Sequence, residues 1–550
     1  MAGPSVLLVA HGFVPHNFAG VEIYTHALAA ALAQRCRRVA VLYPVADPAV
    51  RAPAVRRAAV DGLEVFELAA PPGDALGTLV HSEKEAAFGA LLAAEGFEVV
   101  HFQHTFHGLP MSLLRVAKRA GAGVALTLHD FWFLCPRTHL YLAEEHRLCA
   151  GPAPDGRCER CIAGGRWDAL PEAERDACRR FVALRHEHAR ELLDEVDVVS
   201  APSRFVAETF ARHGLGGGRI EVHPLGVRPL AALPRRQGHP LTFGYLGTIQ
   251  PLKNVLALVE AFSALRGDVR LELHGHGPEQ AVEELRRRAT DPRIAYRGPY
   301  APGDLPSLLA GMDAVVVPSI VESYCFTVRE ALGAGVPVIA SRVGGIPDAV
   351  VDGVNGLLFD PRDPAELRRK LEAFRDAPAQ LDARAGPAIP TIEEDASAWA
   401  ARYAQLARAA RRAPLGAPPG KPTEPVMSQR REAFLLEPDW ERGEWESVLL
   451  GFIRAFAPDE PVALILPLDP GTPVQPSLER AAERVMAVVE RAGKERFAEV
   501  LLLEQPAEFL EKLRAFDRTQ WVAAGLDGVL GARLAEAWRA AAAQWARGAR

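Results

Sequence analysis

Between Ala314 and Ser341 the chain reads AVVVPSIVESYCFTVREALGAGVPVIAS. The β-branched run Ala314–Pro318 has the character of a strand buried on both faces. The polar turn Ser319–Thr327 opens a helical pattern that continues through Ala334, and Val336–Ser341 is a second buried run. A strand, a helix and another strand within about 28 residues form a βαβ unit, which commits this part of the chain to a parallel sheet.

The same alternation extends in both directions. Upstream lie strand-like runs at Leu241–Leu246, Val269–His274 and Arg293–Tyr296, so a complete α/β lobe is expected over 240–385. Earlier still, Ser5–Ala10, Val39–Tyr43, Leu63–Leu68, Val99–Phe102, Val124–Leu128 and Val196–Ser200 read as strands, with a helical apolar face over Val21–Arg35. They predict a first lobe over residues 1–228. The aperiodic stretch Pro229–Pro240 reads as a hinge. A helix is expected at 393–412, then a Pro- and Gly-rich linker at 413–428. Residues 429–550 carry a smaller α/β unit with strands expected at Val462–Leu468, Val500–Leu503 and Trp521–Gly525 and helices at Ser477–Arg491 and Phe509–Phe516. That order echoes Val269–Pro318, as a degenerate Rossmann-like half would, although any α/β segment shows the same rhythm.

Composition narrows the function. The 550 residues are 49% hydrophobic and 24% charged, with a formal net charge of -6; this is not the basic field with which nucleic-acid binders displace counterions, so no nucleic-acid partner is expected. No apolar run reaches the roughly 18 to 20 residues that span a bilayer, and Met1–Pro15 lacks the features of a secretory signal. A cytoplasmic protein is expected.

Open parallel sheets bind ligands at the carboxyl ends of their strands, so candidate residues are sought there. Neither a Gly-x-Gly-x-x-Gly after the first strand nor a P-loop is present, which argues against a dehydrogenase or a P-loop NTPase. Anion binding instead falls to the free amides at the start of the helix after Ala314–Pro318, with Lys253 at a neighbouring strand end. Glu322 and Glu330 suggest a hydrolytic pair, but eight helical residues span about 12 Å. Glycosidase carboxylates stand only about 5 to 9.5 Å apart. Two carboxylates so spaced suit the two ends of one long ligand.

With these residues in hand, the sequence resembles the family 4 glycosyltransferases. The resemblance is carried by AGVE around Gly20, TLHD around His129, LGTIQPLKN around Lys253, GHGP at 275–278, the stretch from Pro318 to Ser341, VGGIPDAV and DGVNGLLF, in order over roughly residues 5–410. It implies the GT-B fold, two Rossmann-like lobes facing a cleft, with the helix near Glu393–Arg412 crossing back onto the first lobe. It also implies transfer of a sugar from a nucleotide diphosphate sugar with retention of configuration and without a catalytic metal. Carried over by position, Glu330 binds the ribose hydroxyls and Glu322 the hydroxyls of the transferred sugar. The amides of Tyr324, Cys325, Phe326 and Thr327 bind phosphate, Lys253 stabilises the departing diphosphate, Gly20 admits it closely, and His129 touches the sugar. The acceptor would be a saccharide, a lipid-linked species or another glycan, in polysaccharide or glycoconjugate assembly, with peripheral association at the inner membrane surface.

Three positions depart from the family pattern. Thr248 replaces an Arg that usually supplies a second cation for the diphosphate, Cys325 replaces a Gly that admits positive φ, and Ala19 stands where a first Gly is common. Ala19 is the milder change; Thr248 and Cys325 favour a rival reading, a catalytically silent nucleotide-sugar binder or scaffold whose tail recruits partners, whereas retention of Lys253, Glu322 and Glu330 favours the enzyme. Separately, Cys135, Cys149, Cys158 and Cys161 fall in an insertion over about 135–165, with His139, His146 and Cys178 as substitute ligands. Structural zinc, a disulfide or free thiols, and an iron-sulfur cluster are all compatible with that spacing.

Overall fold

The computed structural model describes residues 3–71, 79, 81–106, 108–153, 156–230 and 240–412, together with strands at 432–435, 462–468 and 499–504. The chain divides into two compact units, Met1–Gly416 and Ala417–Arg550.

In the first lobe the strands are β1 (Ser5–Val9), β2 (Arg38–Ala46), β3 (Ala54–Val60), β4 (Leu63–Ala70), β5 (Val99–Phe102), β6 (Gly123–Thr127), β7 (Tyr141–Leu142), β8 (Arg147–Leu148), β9 (Val198–Ala201) and β10 (Ile220–Val222). Eight of them form one sheet in the order β10-β9-β6-β5-β1-β2-β4-β3, and β7 and β8 make a separate hairpin. The sheet is parallel except for β3, which runs antiparallel to β4 at the edge. Side chains alternate across the sheet, so Leu7 and Val9 enter one core and Val6 and Leu8 the other.

The second lobe holds β11 (Leu241–Leu246), β12 (Val269–His274), β13 (Ile294–Gly298), β14 (Ala314–Val317), β15 (Val338–Ser341) and β16 (Gly356–Phe359), parallel throughout in the order β13-β12-β11-β14-β15-β16. In both sheets the first strand lies inside, and the chain winds out on one side before returning to the other. The winding reverses between β1 and β5 and between β11 and β14, the places where such sheets open a ligand crevice. Two Rossmann-like sheets joined in this way form the GT-B fold.

A long helix, Ile392–Arg412, packs on the first-lobe helix Gly20–Leu32 and against β5 and β6. Its Trp399 and Tyr403 are fully buried in the first-lobe core, so the last helix of this unit completes a core begun by the first strand. Asp395 fixes the register. Buried between the elements, its carboxylate accepts hydrogen bonds from the Tyr24 hydroxyl at 2.8 Å, His223 Nε2 at 2.7 Å and the Gly226 amide at 2.7 Å.

The second unit shows β17 (Glu432–Leu435), β18 (Val462–Leu468) and β19 (Glu499–Glu504) in one parallel sheet. β18 and β19 match two of the expected strands, and β17 was not anticipated. The helices expected at 477–491 and 509–516, the strand at 521–525 and both linkers lie wholly or largely outside the described residues. No helix among the described residues is long and apolar enough to cross a membrane.

Removing a buried carboxylate that serves three donors strands all of them. Asp395→Ala is therefore expected to destabilise the first unit by about 3 kcal/mol or more. The readout is the midpoint of thermal or denaturant unfolding, and a change below about 1 kcal/mol would show that the return helix does not depend on this knot.

Candidate active site

The second-lobe half of the site is built where β11 and β14 end. After Leu246 the chain is pinned to its neighbour by Gly247 N–H donating to His274 O at 3.1 Å and Ile249 N–H to His276 O at 2.7 Å. The Tyr245 hydroxyl donates to the Thr248 carbonyl at 2.7 Å, so the Thr248 backbone holds this loop together. A single helical turn, Pro251–Lys253, then presents the lysine. Ile320 N–H bonds the Leu252 carbonyl at 2.9 Å and ties this loop to the one following β14. Lys253 Nζ donates to Glu322 Oε1 at 2.6 Å, and Ser319 Oγ donates to the same oxygen at 2.8 Å. Burial opposes the Lys253 charge, but Glu322 more than offsets it and the ammonium pKa is raised. Lys253 is a cation at neutral pH.

Beyond Glu322 the backbone enters the helix Phe326–Gly333 through Cys325, whose φ of 65° is left-handed. The turn thus keeps the conformation that a glycine would adopt freely, and Cys325 does not reshape it; the cost for a residue with a Cβ is about 1 kcal/mol. Arg329 holds the turn in place. Buried one turn into the helix, it donates to the Tyr324 carbonyl, to the Cys325 carbonyl at 3.4 Å and to the Gly345 carbonyl at 3.0 Å, and its guanidinium lies 3.6 Å from the Tyr324 ring centre. Gly344, at φ 56°, lies so close to Glu322 that any Cβ would run into the Glu322 carbonyl. The amides at the start of this helix have no intrahelical acceptor. The helix begins four residues after Glu322.

The first lobe closes over this turn. The Tyr324 hydroxyl bonds the Leu225 carbonyl, and Ser203 Oγ donates to the Ser323 carbonyl at 2.6 Å. Gly20, the first residue of its helix, faces Phe326 so closely that a Cβ would stand 3.1 Å from the ring. In this structure Gly20 therefore makes room for the other lobe's aromatic ring. Tyr24 continues the contact, its ring 5.9 Å from that of Phe326 and 5.5 Å from that of His129. His129 is buried, with Nε2 2.8 Å from Gln103 Oε1, and burial together with His104 pushes its pKa down to about 3. It is neutral at physiological pH.

Around His129 stands a group that sequence reasoning missed. His104 Nε2 lies 3.0 Å from Asp130, His11 Nε2 lies 3.3 Å from Glu22, and the His11 and His104 rings are 4.5 Å apart. Their common signal was position: they sit at or near the ends of β1, β5 and β6, the reversal point of the first sheet. Glu330 lies further along its helix, half-buried, with Arg228 and Tyr300 in electrostatic range. Burial pushes its pKa up to about 7, against the pull of Arg228.

Lys253 and Glu322 are thus in direct contact, Tyr324–Thr327 border them, and Gly20 and His129 approach through Tyr24 and Phe326. The four insertion cysteines are free thiols that line one pocket. Among the described residues no three His, Cys, Asp or Glu side chains are arranged to hold a metal ion, so the expected tetrahedral site is not preformed.

A two-lobed GT-B chain with this constellation is matched by two family models, Glycosyl transferase 4-like domain over residues 19–226 and Glycosyl transferases group 1 over 240–376. The chain belongs to the family 4 glycosyltransferases. Among curated proteins it is similar to D-inositol 3-phosphate glycosyltransferases, 34% identical to that of Acidothermus cellulolyticus over 32% of this chain and 47% of that one. Against that of Salinispora tropica it is 30% identical over 51% and 57%. It spans about half the length of the curated relatives it matches. Among solved structures, Anabaena HepE in complex with UDP aligns at 17% identity and a TM-score of 0.49 over 74% of this chain and 97% of that one.

The raised Glu330 pKa sets a pH signature. A folded carboxyl above its unfolded pKa binds more protons than the unfolded chain between about pH 4.5 and 7, so its contribution to stability falls as pH rises through that window. Glu330→Gln, which mimics the protonated form, is expected to match the wild-type melting point near pH 5 and exceed it at pH 8. A difference independent of pH would mean that the carboxyl titrates normally.

Proposed function

We propose that this protein transfers a sugar from a nucleotide diphosphate sugar to an acceptor hydroxyl, with retention of anomeric configuration. The observation that supports this reading most directly is the Lys253–Glu322 pair just ahead of the helix Phe326–Gly333, at the reversal point of the second sheet.

On donor binding the diphosphate oxygens take the Lys253 ammonium and the amides of Tyr324 to Thr327. Glu322, released from Lys253, accepts hydrogen bonds from hydroxyls of the transferred sugar. Glu330 accepts from the ribose hydroxyls, for which it must be ionised. His129, neutral and with its Nε2–H donated to Gln103, offers Nδ1 to accept a hydrogen bond from a hydroxyl of the sugar from the opposite lobe. As the glycosidic bond to phosphate breaks, negative charge grows on the leaving diphosphate, and an ammonium already in place stabilises it without reorganisation. With Thr248 where a second cation is usual, Lys253 carries this charge alone.

The acceptor we assign is a saccharide or polyol hydroxyl in glycan assembly, at a cytoplasmic site that includes the inner membrane surface. This extends to the chain the sugar-transfer activity named in its curated relatives.

Lys253→Ala is expected to lower kcat by about 100-fold or more while nucleotide still raises the melting point. Product formation is measured across a panel of nucleotide sugars. A wild-type protein that is stabilised by a nucleotide sugar yet forms no product with any acceptor would instead identify a silent binder.

A further inference from the structure

The insertion between β6 and the helix Glu172–Glu195 brings four cysteines from separate stretches to one pocket. Cys135 follows the buried segment Phe131–Leu134, Cys149 follows β8, and Cys158 and Cys161 lie about one turn apart in the short helix Arg157–Ala163. Cys149 N–H donates to the Leu140 carbonyl at 2.6 Å, which folds the hairpin back toward Cys135.

Beside them is a buried cation with unmet needs. Arg185, on the helix Glu172–Glu195, is 0% exposed. Its Nη2 donates to the Trp132 carbonyl and its guanidinium lies 4.5 Å from the Trp132 ring centre, yet Nε and Nη1 have no hydrogen-bond partner. A guanidinium buried with two unpaired nitrogens is costly. The acidic groups within its electrostatic reach are Cys135, Asp130 and Cys158. Asp130 is already committed, at 3.0 Å to His104 and 2.8 Å to the Trp132 amide. Asp130 thus supplies charge from a distance, its hydrogen bonds being spent elsewhere, and the cysteines add to the counter-charge only as thiolates. Four thiolates around one divalent ion carry a net charge of about −2 and supply it.

We propose that Cys135, Cys149, Cys158 and Cys161 close around one zinc ion as a tetrathiolate centre, with Arg185 as its buried counter-cation. Each thiol gives up its proton to solvent on binding, zinc remains divalent, and no electron moves. The site ties down an insertion whose hairpin crosses to the donor lobe. His146 Nε2 lies 3.4 Å from Asn254 Oδ1, next to Lys253, and His139 is within electrostatic reach of Lys253 and Glu322. The centre thus holds a first-lobe loop against the catalytic pair, a consequence that rests on the proposed function, whereas the metal site itself does not.

The test reads metal without any sugar donor. Full-length protein is analysed by plasma mass spectrometry, then treated with a mercurial while a colorimetric chelator follows zinc release. About one zinc per chain is expected, released as the thiols are blocked. The variant with Cys158→Ser and Cys161→Ser is expected to lose at least tenfold of that metal, whereas Cys36→Ser keeps it. Protein refilled with cobalt should show thiolate-to-metal absorption and tetrahedral d–d bands, a readout on wild-type protein that stands even if the variant misfolds. Metal-free protein that takes up neither zinc nor cobalt, iron with acid-labile sulfide, a disulfide between these cysteines, or zinc retained in the double variant would each overturn the proposal. Arg185→Leu is expected to weaken zinc retention against a competing chelator by about tenfold while leaving the thiol count unchanged, and unchanged retention removes it as the counter-cation.

Discussion

An ammonium and a carboxylate 2.6 Å apart, where the winding of the second sheet reverses, set the conditions for the rest of the site. Glu322 is 9% exposed and Lys253 27%, so each lies where an unpaired charge would be costly. Their pairing lets both persist in a site enclosed enough for electrostatics to be strong. In the proposed reaction it is also the pairing that an arriving diphosphate exchanges for its own, the lysine meeting phosphate oxygens and the carboxylate hydroxyl donors. Topology makes this possible: β11 and β14 are adjacent only because the chain winds out through β12 and β13 and returns across the sheet.

The pair works only if the turn after it is held, and most of what holds it comes from outside the local sequence. Arg329 binds three carbonyls from within the helix, Gly344 admits the Glu322 carbonyl where any side chain would exclude it, and the first lobe contributes Ser203, Leu225 and Gly20. The return helix Ile392–Arg412 then fixes the first-lobe helix that carries Gly20 and Tyr24, through Asp395 and the buried Trp399 and Tyr403. Interlobe geometry and donor-site geometry are therefore linked by contiguous packing, from Asp395 through Tyr24 and Phe326 to the turn at Cys325.

Much of this was legible in the sequence. Buried parallel strands are short continuous apolar runs, and those of both sheets stood out for that reason. β3 did not, because AVRRAAV is an exposed edge strand whose arginines erase the alternation, and the three-residue edge strand β10 and β16 also went unread. The site was legible where chemistry was carried by rare residue types at strand ends, as with Lys253, Glu322 and His129. Arg329 and Arg185 were not, since an arginine in a helix reads as a surface charge, and only burial reveals one clamping carbonyls and the other holding two unpaired nitrogens. Likewise Gly20 was assigned to phosphate approach, and the structure shows it first serving the approach of Phe326.

The two glutamates of the Pro318–Ser341 stretch show how one segment supports two kinds of recognition. Glu322 has a lysine and a serine as hydrogen-bond partners. Glu330, eight residues on, has only the more remote Arg228, and burial holds its proton until about pH 7. In the proposed donor complex, two hydroxyls donating to Glu330 favour its charged form, so ribose binding and proton release are coupled there, whereas at Glu322 the diphosphate drives the exchange by taking the lysine. On the proposed reading, the nucleoside end of the donor meets a carboxyl poised near neutrality, and the reacting end one paired with a lysine.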